Sequence, residues 1–107
     1  METLRGNISD LVNILNKLRN NIGDPAEQEQ IQKILRFLFM LWEEIIRQTL
    51  DSTTPAYKAA LQSLGEAEQT ATDALNGIAK TADAIKVAVK AAKAVDAVVG
   101  VVGPIFV

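Results

Sequence analysis

Apolar residues recur along this chain at alternating steps of three and four, the period of one face of an α-helix rather than of a strand. Leu4, Ile8, Leu11, Leu15, Leu18 and Ile22 form the first such stripe. Asn7 can cap this helix, with Asp10 in the first turn where a negative charge suits the helix dipole. The stretch "NNIGDP" closes it, with Gly23 free to take the left-handed conformation that ends many helices. The same residues open the next helix: Asp24 can cap, Pro25 suits the first helical position and Glu27 the third. Helix 1 is therefore expected over about 7–22 and helix 2 over about 25–50, joined back to back as an antiparallel hairpin by a very short turn.

Helix 2 carries two apolar stripes side by side, Ile31, Leu35, Leu38, Trp42 and Ile45 in one and Ile34, Phe37 and Leu41 in the other. Phe39 and Met40 fill much of the remaining circumference, so the run "FLFMLW" is apolar on nearly every side. A helix of that kind is normally surrounded. Helix 1 is too short and narrow to do this alone, so other parts of the chain or another copy must cover the rest.

After Leu50 the segment "DSTTPAYK" reads as a connection and a new start, with Thr54 as cap and Pro55 at the first helical position. From there Tyr57, Leu61, Leu64, Ala71, Leu75, Ile78, Ala82, Ile85, Val89 and Ala92 hold one heptad phase, interrupted by Glu68. With no proline before Pro104, this predicts one helix over about 55–100, roughly 65–70 Å long at 1.5 Å per residue. The dipeptide Asn76–Gly77 argues for a break at 76–77, since Asn-Gly is a frequent helix stop. The expected fold is thus all-α: an antiparallel helical bundle of three helices with a long third helix, or of four helices if the chain breaks near Gly77. Its length suits one helical domain, residues 1–107.

Charge is unevenly distributed along the second half. Residues 51–75 hold Asp51, Glu66, Glu68 and Asp73 against Lys58, whereas residues 76–107 hold Lys80, Lys86, Lys90 and Lys93 against Asp83 and Asp96. Antiparallel pairing of the two halves is electrostatically favoured, whether through a turn at Gly77 or between two chains.

The residue inventory excludes much chemistry. With no Cys and no His among 107 residues, there is no disulfide, no Cys-His or Ser-His nucleophile pair and no ordinary zinc, haem or Glu-x-x-His di-iron ligand set. Glu43 and Glu44 point about 100° apart on a helix, as adjacent residues must, and Glu43–Arg47 and Glu29–Lys33 have the spacing and order of a solvated salt-linked face. Gly100 and Gly103 are followed by no Lys-Ser or Lys-Thr pair, so they make no phosphate cradle. No catalytic, cofactor-binding or metal-ligating residue is assigned, and the chain reads as non-enzymatic. A net charge of −2 gives no general attraction to nucleic acid, and the lysine cluster of the last helix is short and diluted by Asp83 and Asp96, which reads as a solvated face. "METLRGNISD" lacks the apolar stretch of a secretory signal, which makes the cytoplasm the expected compartment.

The C-terminal segment "VAVKAAKAVDAVVGVVGPIFV" poses the remaining question. Asp83, Lys86, Lys90, Lys93 and Asp96 fall within an arc of about 140° on a helix, leaving Ala, Val and Ile on the other side. A bilayer span of about 20 residues counted back from Val107 would enclose Lys90, Lys93 and Asp96 at about 2.5–3.5 kcal/mol each near its centre. That disfavours a transmembrane helix and leaves two settings, a protein surface or a lipid interface.

The expected function is a protein–protein interaction or self-assembly module, most simply a homo-oligomer in the form of an antiparallel dimer, or a partner of another helical protein. The expected interface comprises the aromatic belt of Phe37, Phe39, Met40 and Trp42, together with Ala84, Ala88, Val95, Val98, Val99, Val102, Ile105 and Phe106. The alternative is a membrane-active or membrane-peripheral protein, a pore former or anchor, using residues 85–107.

Overall fold

The computed structural model describes residues 3–100, which form four α-helices and, among those residues, no strand. They are α1 (Leu4–Asn21), α2 (Pro25–Arg47), α3 (Pro55–Leu75) and α4 (Thr81–Val99). Helix α1 packs on α2 and α3, and α4 packs on α2 and α3, so the consecutive pair α2 and α3 stand diagonally across the bundle. Two hydrogen bonds set the directions. The Leu4 amide donates to the Tyr57 hydroxyl at 3.3 Å, which puts the starts of α1 and α3 together. The Gln48 side-chain amide donates to the Val99 carbonyl at 3.1 Å, which puts the ends of α2 and α4 together. Two antiparallel hairpins, α1–α2 and α3–α4, therefore lie against each other, and the connection 48–54 crosses one end of the bundle.

The caps explain where the helices begin. Asp24 Oδ1 accepts from the Ala26 amide at 2.9 Å with Pro25 behind it, and Thr54 Oγ1 accepts from the Tyr57 amide at 3.2 Å with Pro55 in the same role. Both starts match the sequence expectation. Helix α1 does not start at Asn7: Thr3 caps it, its Oγ1 accepting from the Gly6 amide at 3.0 Å. The earlier start brings Leu4 into the core at 1% exposure, a burial that a cap at Asn7 would forgo. Gly23 does not take the left-handed conformation either, since the positive-φ residues are Gly77 and Gly100. Instead, α1 runs into an extended Ile22, and Gln28 of α2 reaches back to donate to the Ile22 carbonyl at 2.7 Å.

Helix α2 ends at Arg47 rather than near Leu50. In the connection that follows, the Asp51 carboxylate accepts from both the amide and the hydroxyl of Thr53, at 2.9 and 2.6 Å. The hydroxyl first and the amide second hold its pKa below the usual carboxylate range. With a lowered folded pKa, this turn is best held with the carboxylate ionised, and its support fades as pH falls through that lowered value.

The single long helix over 55–100 does not form, and the chain breaks at Asn76–Gly77. Gly77 sits at φ 77°. The Gly77 amide donates to the Ala74 carbonyl at 3.2 Å, and the Ile78 amide donates to the Asp73 carbonyl at 2.8 Å. This is the Schellman pattern, in which a left-handed residue lets the chain turn and satisfy the last carbonyls. The continuous heptad phase misleads here: Ile78, one of its members, is 75% exposed. The phase carries across the turn with α3 and α4 folded back on each other, in the antiparallel pairing that their opposite charge balance favours.

The core is built from unequal halves. Helices α1 and α2 contribute large side chains, among them Ile8, Leu11, Leu15, Leu18, Ile31, Phe37, Leu38 and Leu41, each at 0–1% exposure. Across from them stand Ala60, Ala67 and Ala71 of α3 and Ala84, Ala88, Ala91 and Ala92 of α4, all at 0%. Methyl-only side chains let two helices approach closely, toward the short end of the usual 8–10 Å axis separation. No polar or charged residue is buried as a whole among the described residues. Asp96 of α4 nevertheless has one carboxylate oxygen buried without a hydrogen-bond partner, at the helix end whose dipole disfavours negative charge.

Substitution of Gly77 by Ala should cost about 1 kcal/mol, because its φ of 77° strains any residue with a Cβ. Gly65 is the control: it lies within α3, nothing lies within 4 Å of an added Cβ, and Gly65→Ala should stabilise by about 0.5–1 kcal/mol. Urea denaturation of the two variants should give shifts of opposite sign. Asp96→Ala should raise stability by about 1 kcal/mol in the same assay, since it removes both the orphaned oxygen and the charge at the negative helix end.

Candidate interaction surface

Helix α2 has to serve two neighbours. Ile34, Phe37 and Leu41 form one of its inner stripes, and Ile31, Leu35 and Leu38 the other, all six buried. Those two stripes cover about half the circumference of a helix at 100° per residue. The rest faces outward, and it is not polar throughout: Phe39 is 54% exposed, Met40 44% and Ile46 51%. Trp42 is half-buried against the core margin.

Phe39 and Trp42 also wall a groove of about 240 Å³ between α1 and α2, floored by Ile8, Val12 and Leu38. Its other wall is Ser9, Asn13 and Asn16 of α1, whose spacing of four and three puts them on one helix face. The groove thus has an aromatic side and an uncharged polar side. A second groove of about 300 Å³ opens near the starts of α1 and α3, between Thr3, Arg5, Ile45, Ile46, Gln48 and Tyr57. Ile46, seven residues along α2 from Phe39, lines this second groove.

The twelve residues expected at an interface fall into three groups. Phe37, Ala84, Ala88, Val95 and Val99 lie inside the chain's own bundle, at 0–6% exposure. The alanine and valine face of α4 is thereby covered by α2 and α3. Phe39, Met40, Trp42 and Val98 are exposed or half-buried and remain within reach of another molecule. Val102, Ile105 and Phe106 lie outside the described residues. Sequence reasoning missed Ile46, which is exposed, and the polar wall of Ser9, Asn13 and Asn16. The signal for Ile46 was present: it stands seven residues after Phe39 and so lies on the same stripe.

Among the described residues, no three acidic side chains gather as a metal site would require. The chain matches no known protein family, no curated protein and no solved structure. The surface itself is therefore the basis for a functional reading.

Neighbouring positions on α2 should respond oppositely to truncation. Leu38→Ala should cost about 2–5 kcal/mol, as expected for a leucine at 0% exposure whose loss leaves a cavity. Phe39→Ser should change the stability of the monomer by no more than about 0.5 kcal/mol. Thermal or urea melts of the two variants, run at a protein concentration low enough to keep the wild-type chain monomeric, test this.

Proposed function

We propose that this protein is a non-enzymatic helical interaction module that self-associates by covering the outer face of α2. The observation that carries this reading is the apolar stripe of Phe39, Trp42 and Ile46. Phe39 and Ile46 each stand more than half exposed, Phe39 at the first groove and Ile46 at the second. Contiguous exposed aromatic surface is uncommon on monomers and marks sites where another molecule packs. Large aromatic residues also supply much of the energy of such contacts. The flanking polar groups of α1 give the patch a rim able to hydrogen-bond, as interfaces commonly have.

Entry of residues 85–107 into lipid is the weaker reading. It would withdraw Ile85, Ala88, Ala92 and Val95, each at 9% exposure or less, from the core and uncover the part of α2 on which α4 packs. No helix among the described residues is long and apolar enough to cross a membrane.

Sedimentation velocity at micromolar concentration should show the chain as a dimer. The double variant Phe39→Ser, Ile46→Ser should sediment as a folded monomer, with helical circular dichroism unchanged. A wild-type chain that remains monomeric at these concentrations overturns the reading.

A further inference from the structure

We infer that the occupant of the α2 face is a second copy of the chain, set antiparallel across a two-fold axis that passes at Phe39. This rests on the self-association through the outer face of α2 proposed above and adds to it a direction and a register.

Gln32, Arg36, Phe39, Glu43 and Ile46 follow one another at steps of four and three, so they share one stripe of α2. The structure leaves Arg36, Phe39, Glu43 and Ile46 exposed and Gln32 half-buried. Read from the start of the helix, the stripe is basic, aromatic, then acidic.

A two-fold axis at Phe39 sets each residue before it against the residue equally far after it in the second copy. Arg36 is three residues before Phe39 and Glu43 is four after, so they come level to within one residue, about 1.5 Å of helix rise. The flanking charges follow the same rule. Lys33 comes level with Glu44 of the second copy to within one residue, and Glu29 with Arg47 to within two. All six are exposed except Glu44, which is half-buried.

The signs along the outer face thus run negative, positive, positive before Phe39 and negative, negative, positive after it. Reversal of direction turns every one of these pairs into an attraction, and symmetry makes each pair twice. A parallel arrangement would instead set Arg36 against Arg36 and Glu43 against Glu43. Like charges in contact are strongly disfavoured at interfaces, so charge selects the antiparallel dimer.

The ordinary alternative is that Glu29–Lys33 and Glu43–Arg47 act within one helix as i, i+4 pairs. That accounts for neither Arg36 nor the inversion of sign about Phe39. At the centre, the two Phe39 rings meet across the axis beside the groove of Val12, Asn13 and Trp42. An interface with this two-fold is isologous and closes at two copies.

The experiment is a charge reversal read by sedimentation velocity on the full chain. Arg36→Glu alone and Glu43→Arg alone should each weaken the dimer by about tenfold or more, because each puts like charges together twice. The double variant Arg36→Glu, Glu43→Arg restores both pairs and should return the dimer to near its wild-type strength. Parallel pairing predicts no effect from any of the three.

A second readout uses the absence of cysteine from the sequence. Phe39→Cys should form a disulfide-linked dimer on mild oxidation, while Gln62→Cys, on the exposed surface of α3, should not. If the wild-type dimer is unaffected by the single reversals, or the double variant fails to recover, the face and register are wrong while self-association stands. A wild-type monomer would overturn both and leave the stripe to a partner of different sequence.

Discussion

Leu64 and Val95 aside, every side chain of α3 and α4 at 0% exposure is alanine, and the rest of the structure depends on how that thin hairpin fits against a thick one. A buried methylene is worth about 0.8 kcal/mol, so an alanine seam contributes little apolar burial per residue. Its value lies in shape. Small side chains let α3 and α4 approach each other and let Phe37, Leu38 and Leu41 of α2, with the leucines of α1, fill the space between hairpins. Interiors are packed to crystalline density, so large and small have to be matched across the contact. Neither half supplies the match alone.

The same asymmetry decides what α2 shows to solvent. Its neighbours α1 and α4 approach from two sides, and together they cover the two inner stripes. A helix apolar on nearly all sides then has its outer side without cover, and Phe39, Met40 and Ile46 fall there. The exposed patch is thus a product of a four-helix arrangement in which α3 stands diagonally away from α2. A fifth helix-sized neighbour would complete the enclosure, and a symmetric copy of α2 has the right length and an apolar stripe of its own.

Much of this was legible in the sequence because local chemistry and global packing agree. The Asp24-Pro25 and Thr54-Pro55 starts are specified by residues within one turn, and tertiary contacts leave them unchanged. Elsewhere two local signals competed. At Gly77 a long-range heptad phase opposed a short-range stop, and the stop prevailed because a left-handed glycine lets two half-length helices cover each other, which one straight helix cannot do. At the first helix, Asn7 and Thr3 could both cap, and the burial of Leu4 decides for Thr3. The division of α2 was legible in part: the two stripes read from the sequence hold all six of its buried residues and leave out the exposed Phe39 and Met40. Phe37 nevertheless groups with those two in the sequence reading of an interface, since nothing in "FLFMLW" states from which side the neighbours come. Glu43 reads as an ordinary solvated charge, paired with Arg47, because the sequence does not say which face of α2 is left uncovered.

The connection 48–54, which crosses one end of the bundle, also bears on how quickly the fold can be reached. Both hairpins close through turns of a few residues, at Ile22–Asp24 and at 76–80, so most native contacts join residues near in sequence. Loop-closure entropy grows only slowly with length, and chains dominated by local contacts fold on the microsecond-to-millisecond scale. The one search over a longer distance is the docking of the two hairpins, and the short connection 48–54 keeps them near each other during it. Gln48 at the start of that connection and Tyr57 just beyond its end each hold a hydrogen bond to an outer helix terminus, at Val99 and Leu4. The end of the bundle that the connection crosses is therefore also where the start of α1 and the end of α4 are fastened.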